Sequence, residues 1–293
     1  MEHLPDFKII IAVLAVIAII AFGYLNKKKD NYKDINLPIP DFRRDDLLYG
    51  YYSSLERTFD QVKNHTNLFW FSHFFGLDKF IEILKNSTHT VVMDLAPYVS
   101  EKVGNKCIAK LTGEDELRNC FNQLKTAGVL HRLSFLYPID EPDLTVRDAE
   151  EHRKMIEMTI KVASEYQELK DTKLAVIYGN TGKFWNIEKF DYVGTDYYKQ
   201  KSEILTIGNH AKMLTRMQAG QKTILVPGPS FGHTPDPWVA YALINKDQVG
   251  MVVPFIWFDD PNHKDVAYTG LEACPEEFRN TWIQAGLKLQ NKA

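Results

Sequence analysis

Residues 129–180 read VLHRLSFLYPIDEPDLTVRDAEEHRKMIEMTIKVASEYQELKDTKLAVIYGN. An apolar run from Val129, VLHRLSFLYPIDEP, gives way to an amphipathic stretch from about Val146 to Leu169. A second apolar run, KLAVIYGN, starts at Lys173. Strand, helix, strand in that order predicts a parallel pair, because parallel neighbours need a crossover of a dozen residues or more.

The same alternation continues in both directions. Upstream, strands are predicted at LLYGYYSS from Leu47, NLFWFSHFF from Asn67 and HTVVMDLAPY from His89. Between them lie LDKFIEILKN, with Phe80, Ile83 and Leu84 on one face, and EDELRNCFNQLKTAG, which ends on Gly128 as helices commonly do. Downstream, strands are predicted at FDYVGTDYY from Phe190, KTILVPGPS from Lys222 and VGMVVPFIWFDD from Val249. Helices are expected near Ile204–Met217 and Trp238–Leu243, and in the closing PEEFRNTWIQAGLKLQ, where Pro275 suits a first turn. The segment between the fifth and sixth strands is short and weakens the repeat there. Eight strands in about 250 residues is the size of a closed (β/α)8 TIM barrel. An open doubly wound sheet would carry a Gly-rich fingerprint after its first strand; SSLERTFD has none.

Composition sets outer bounds. The chain has 293 residues, 45% hydrophobic and 25% charged, with 17 Phe, 14 Tyr and 5 Trp, enough for one large core. A net charge of −3 argues against a nucleic-acid partner. The three cysteines, Cys107, Cys120 and Cys274, form no CxxC and leave at least one thiol free, with a Cys107–Cys120 pair open.

The N-terminus reads differently. Ile9 to Leu25, IIIAVLAVIAIIAFGYL, carries no charge and spans about 25 Å as a helix, the lower limit for crossing a bilayer. Lys27-Lys28-Lys29 stops it, and neither a basic front end nor a small-x-small site marks it as a cleaved signal. Residues 1–25 are therefore expected to be a tail and membrane anchor, 26–43 a Pro-interrupted linker, and 44–293 the barrel. The lysine position favours a cytoplasmic barrel, whereas glycan hydrolysis favours the other side; the sequence leaves this open.

In such a barrel the site lies at the C-terminal strand ends. Those ends carry Tyr52 after the first strand, His73 after the second and Asp94 after the third. Tyr137, Asp140 and Glu141 follow the fourth, Asp196 and Tyr197 the sixth, and Trp257 and Asp259 the eighth. Carboxylates suit proton transfer, and flat aromatic faces suit sugar rings. Asp143 and Asp148 are read instead as helix caps. The sharpest signal is Tyr137-Pro138-Ile139-Asp140-Glu141-Pro142, where adjacent carboxylates between prolines raise one pKa.

At these residues the chain resembles the barrel-fold glycoside hydrolases, many of which carry the general acid as a Glu at the end of the fourth strand, often before Pro, as in Glu141-Pro142. The Asp-Glu pair is similar to that of hexosaminidase-type barrels using substrate-assisted catalysis. That resemblance implies that Asp140 orients a 2-acetamido group and Glu141 protonates the leaving oxygen. It further implies that Tyr197 steadies the acetamide and Trp257 forms a sugar-facing wall. The seventh strand departs from the commonest retaining pattern: Val226-Pro227-Gly228-Pro229-Ser230 holds no carboxylate. An inverting enzyme would take its base from Asp196, Asp259 or Asp94.

Two further readings remain. One is a non-catalytic barrel that binds sugar or protein. The other is a phosphate site built on Gly228 and Gly232, with no basic side chain beside them. No cofactor is expected, and no metal: HxH, HExxH and Walker motifs are absent, and the Asp259-Asp260-Pro261-Asn262-His263 cluster has no fixed geometry.

Overall fold

The computed structural model describes residues 46–52, 56–71, 76–179, 181–196, 210, 212–229, 232–245, 247–258 and 270–290. The proposed anchor at 9–25, the linker and the 43/44 boundary lie outside them. Among the described residues no helix is long and apolar enough to cross a membrane.

The chain runs through β1 (Leu48–Tyr49), β2 (Leu68–Phe71) and β3 (Thr90–Asp94), then a hairpin of β4 (Ser100–Val103) and β5 (Lys106–Ala109). It continues with β6 (Leu133–Tyr137), β7 (Lys173–Tyr178), β8 (Tyr192–Thr195), β9 (Lys222–Leu225) and β10 (Val249–Val252). Eight of these form one parallel sheet in the order β1-β10-β9-β8-β7-β6-β3-β2, the circuit of a (β/α)8 barrel. The strands are buried on both faces, so they read as unbroken apolar runs rather than as an alternation.

The helices are α1 (Glu56–Val62), α2 (Leu77–Asn86), α3 (Ala96–Val99), α4 (Gly113–Thr126), α5 (Pro142–Thr145), α6 (Ala149–Ala163), α7 (Pro235–Ile244) and α8 (Glu276–Leu289). In α4 the buried Leu117, Cys120, Phe121 and Leu124 keep the spacing of one helical face, and Gly128 at φ 74° ends the unit. Asp148 caps α6 by accepting from the Glu151 N–H at 2.9 Å, as expected.

Two details correct the sequence reading and a third agrees with it. Residues 130–132 form a 3-10 turn, so the fourth barrel strand starts at Leu133 rather than Val129. The β4–β5 hairpin was not anticipated, because its strands are largely exposed and polar. Between β7 and β8 only a 3-10 turn, Ile187–Lys189, appears among the described residues. All three cysteines are free thiols.

The first and last strands of the circuit meet at a seam. A backbone bond from the Asn67 N–H to Tyr49 O at 3.0 Å crosses it. The Asn67 side chain adds two more, accepting from the Tyr49 N–H at 2.7 Å and donating to Leu47 O at 3.0 Å. Gly50 allows this approach: a Cβ there would stand 2.3 Å from Leu68 O.

Candidate active site

Strand parity sorts the side chains. Inward positions include Tyr52, Leu68, Trp70, Val92, Phe135, Tyr137, Ala175, Ile177 and Val253, which form the barrel interior. Outward positions pack into two separate clusters beneath the helices. At the C-terminal mouth the same parity brings in Tyr52 from β1, Asp94 from β3, Gly179 after β7, Asp196 after β8 and Phe255 after β10.

One half of this mouth is aromatic. Tyr52 lies against Trp70 at 5.0 Å between ring centroids and against Phe255 at 5.9 Å, and Trp70 meets Tyr137 edge-on at 4.9 Å. Asp140 faces this wall. The Tyr137 hydroxyl donates to Asp140 Oδ1 at 2.6 Å, and the Tyr52 hydroxyl also bonds the carboxyl. Burial pushes the Asp140 pKa up to about 7; the Glu141 carboxylate and Asp94 add to the rise, while the two phenols oppose it. A proton is thus retained beside Glu141 near neutrality.

Glu141 has an unusual backbone, φ 41° and ψ 56°, in the left-handed region that non-glycine residues rarely adopt. Its neighbours enforce this. The Glu141 N–H donates to Ile177 O at 3.1 Å, tying it to β7, while its carbonyl accepts from Leu144 and Thr145 N–H, both at 2.8 Å, and starts α5. Pro142 fills the first turn of α5, where a missing N–H costs nothing. The carboxyl lies over Gly179: a Cβ there would sit 3.3 Å from Glu141 Oε1 and 2.3 Å from Leu144 Cδ1.

Beneath it is a residue whose role was misread. Asp143 does not cap α6. Its buried carboxylate accepts from the Gly179 N–H at 2.7 Å, the Thr181 N–H at 3.2 Å and the Thr181 hydroxyl at 2.6 Å. It therefore fixes the loop after β7 against the turn that carries Glu141. Trp70, Phe255, Gly179 and Thr181 were also missed. Strand parity applied to the predicted strands would have found the first three.

Asp94 and Asp196 are each 7% exposed at their strand ends. Asp94 Oδ1 accepts from the Ala96 N–H at 2.9 Å at the head of α3. Asp196 is held by its N–H to Tyr178 O at 2.9 Å. Together with Asp140 it helps keep the Tyr137 phenol protonated well above its ordinary range, after the larger effect of burial.

Trp257 is not at the mouth. It is 3% exposed in the outer cluster between barrel and helices, packed on Tyr51 and His65, with its indole N–H donating to Gln61 Oε1 at 2.7 Å. The aromatic rings at the mouth are instead those of Tyr52, Trp70 and Phe255. After β9, the Gly228 N–H donates to Nδ1 of buried His233 at 3.0 Å. His73, Tyr197 and Asp259 lie outside the described residues. Among the described residues no cluster of His, Cys, Asp and Glu is arranged to hold a metal ion.

No protein-family model matches this sequence, and no curated protein matches it. Solved structures do. A mutant of Saccharomyces cerevisiae Gas2p in complex with laminaritetraose and laminaripentaose superposes with a TM-score of 0.56 at 10% identity, over 83% of this chain and 63% of that one. Bacteroides uniformis β-glucuronidase gives 0.53 at 11% identity, over 84% of this chain and 35% of that one. The shared fold is the (β/α)8 barrel. This chain thus spans less than two thirds of the length of either protein, and at such identities the likeness is one of fold. In a (β/α)8 barrel the active site lies at the mouth formed by the C-terminal strand ends, which here carries Asp140, Glu141 and the aromatic wall.

Proposed function

We propose that this chain cleaves glycosidic bonds, with Glu141 as the general acid. The observation that carries this reading is the placement of Glu141: a left-handed backbone, locked from below by Asp143, directs its carboxyl over Gly179. Strain of this kind persists only where the surroundings over-determine it, and it gathers at functional sites. Asp140 adds a carboxyl that is neutral up to about pH 7, next to an aromatic wall suited to a sugar face. Tyr52, Tyr137, Asp94 and Asp196 complete the binding surface, and His73, Tyr197 and Asp259 are read from the sequence as further substrate contacts. The run at 9–25 supports a tether to the bilayer.

A second reading is favoured by the absence of a carboxylate after β9. The substrate's own 2-acetamido oxygen would then attack the anomeric carbon, with Asp140 orienting the amide. That role needs an Asp140 oxygen open to an amide N–H, and two phenols already bond this carboxyl.

The test is hydrolysis of p-nitrophenyl glycosides, with and without a 2-acetamido group, by wild type and Glu141→Gln. Turnover lost in the variant supports the acid assignment. Strict preference for 2-acetamido substrates supports the second reading. Glycan binding with no turnover makes the chain a binding barrel.

A further inference from the structure

We propose that the flank of the barrel carries a second binding site: a groove between α1 and α2 that takes a neutral oligosaccharide and performs no chemistry on it. The site stands independently of any role for Glu141.

Helix periodicity builds the groove. In α2, Lys79, Glu82, Ile83 and Asn86 recur at the three- and four-residue spacing of one face. Facing them, at and just beyond the end of α1, are Phe59, Asp60, Lys63 and Asn64. Residues 87–89, which lead into β3, complete the lining. The enclosed space is about 520 Å³, within the range of about 300–1,000 Å³ typical of small-molecule clefts. None of the mouth residues lines it.

The lining selects the class of ligand. Its charges are compensated in pairs: Lys63 Nζ stands 2.6 Å from Asp60 Oδ1 on one wall, and Lys79 Nζ stands 3.0 Å from Glu82 Oε2 on the other. An ionic ligand would meet its own sign as often as the opposite one. A neutral ligand rich in hydroxyls finds acceptors in the carboxylates and donors in the ammonium groups, and the Asn64 and Asn86 amides offer both. Phe59 and Ile83 contribute apolar surface to the same groove. A purely apolar ligand would strip water from the polar groups without replacing its hydrogen bonds. Hydroxyls arrayed around an apolar ring face satisfy all of these at once, and that is the chemistry of a sugar.

The lining is also set in advance. Arg132 donates from Nη1 to Leu84 O at 3.2 Å and Ser87 O at 2.8 Å, and from Nη2 to His89 O at 3.2 Å. This ties the last turn of α2 to the residues before β3. Phe59 is wedged edge-on between Phe69 and His89, with ring centroids at 5.0 and 5.2 Å. A groove that need not order itself on binding loses less of its affinity to entropy. Such a site holds a polymer on the flank of the barrel without cutting it.

The experiment acetylates the full chain carrying Glu141→Gln with an N-hydroxysuccinimide ester and reads Lys63 and Lys79, both solvent-exposed, by peptide mass spectrometry. The probes are cellotetraose, mannotetraose, laminaritetraose and tetra-N-acetylchitotetraose. At about 10 mM, enough to fill a site of millimolar affinity, at least one is expected to slow both lysines by about threefold or more, while Lys161 on α6 keeps its rate. Unchanged rates with all four overturn the proposal, because a sugar held only in the mouth leaves Lys63 and Lys79 unprotected. Equal protection by citrate overturns the neutral-ligand assignment. Asn64 and Asn86 are exposed, so Asn64→Ala combined with Asn86→Ala leaves the packing intact. The pair is expected to raise the concentration for half-protection by about tenfold, and no change removes these amides from the site. Protection is read whether or not a glycosidic bond is cleaved, so failure here leaves the glycosidase reading standing, and failure of that reading leaves this site standing.

Discussion

Glu141 pays for its placement in backbone energy, and that gives a test independent of any substrate. At φ 41° a Cβ is a liability. Glu141→Gly is therefore expected to be more stable than Glu141→Ala by about 1 kcal/mol, the reverse of the order in a helix, as read by urea denaturation. Asp143 predicts the opposite kind of change. Asp143→Ala leaves the Gly179 and Thr181 donors without their acceptor and is expected to cost about 2–4 kcal/mol. The Asp140–Glu141 pair was legible in the sequence because flanking prolines fix its turn. The part played by Asp143 was not, because an aspartate before a helix reads equally as a cap; only the fold brings Gly179 and Thr181 to it.

At the scale of elements, the seam between β1 and β2 is the informative joint. Asn67→Ala removes both side-chain bonds across it and leaves the Tyr49 N–H and Leu47 O unpaired, an expected cost of about 2–4 kcal/mol. Asn67→Asp keeps the acceptor alone and is expected to fall between. Gly50→Ala drives a methyl toward Leu68 O and is expected to cost about 3 kcal/mol or more in the same measurement. All eight barrel strands were legible as apolar runs. The β4–β5 hairpin was not, since exposed strands carry neither a buried run nor a clear apolar face. Nor was Trp257 placed correctly: proximity to a strand end does not say which way a side chain turns, and Trp257 packs in the outer cluster although Val253 and Phe255 line the interior.

The whole molecule combines titrations of opposite sign. Burial pushes His152, His210 and His233 down from 6.5 to about 4, so between those pH values each is charged when unfolded and neutral when folded. Their contribution to stability is present above pH 6.5 and lost as pH falls toward 4. Asp140, raised from 3.8 to about 7, runs the other way: it stays protonated in the fold, and its contribution declines as pH rises through the same window. The four groups together predict a net uptake of about two protons on unfolding near pH 5. Asp140→Asn is expected to steepen the rise in stability from pH 4 to 6.5, measured as midpoint against pH. A membrane tether predicts that the full chain sediments with vesicles and resists carbonate wash, and that removal of residues 1–25 releases it.

Among the described residues no strand ladder joins β1 to β2, which makes the ring of strands a clip rather than a closed hoop. Local opening starts where the fewest bonds must break. Hydrogen exchange at the Asn67 amide is therefore expected to outpace that of Val92, Leu136 and Val193 in the middle of the sheet. The clip's gap lies beside Tyr52 and Trp70, whereas Glu141 and the Asp143–Gly179 bond beneath it lie on the continuous β6–β7–β8 arc. Breathing at the gap would loosen the aromatic wall without disturbing the turn that holds Glu141.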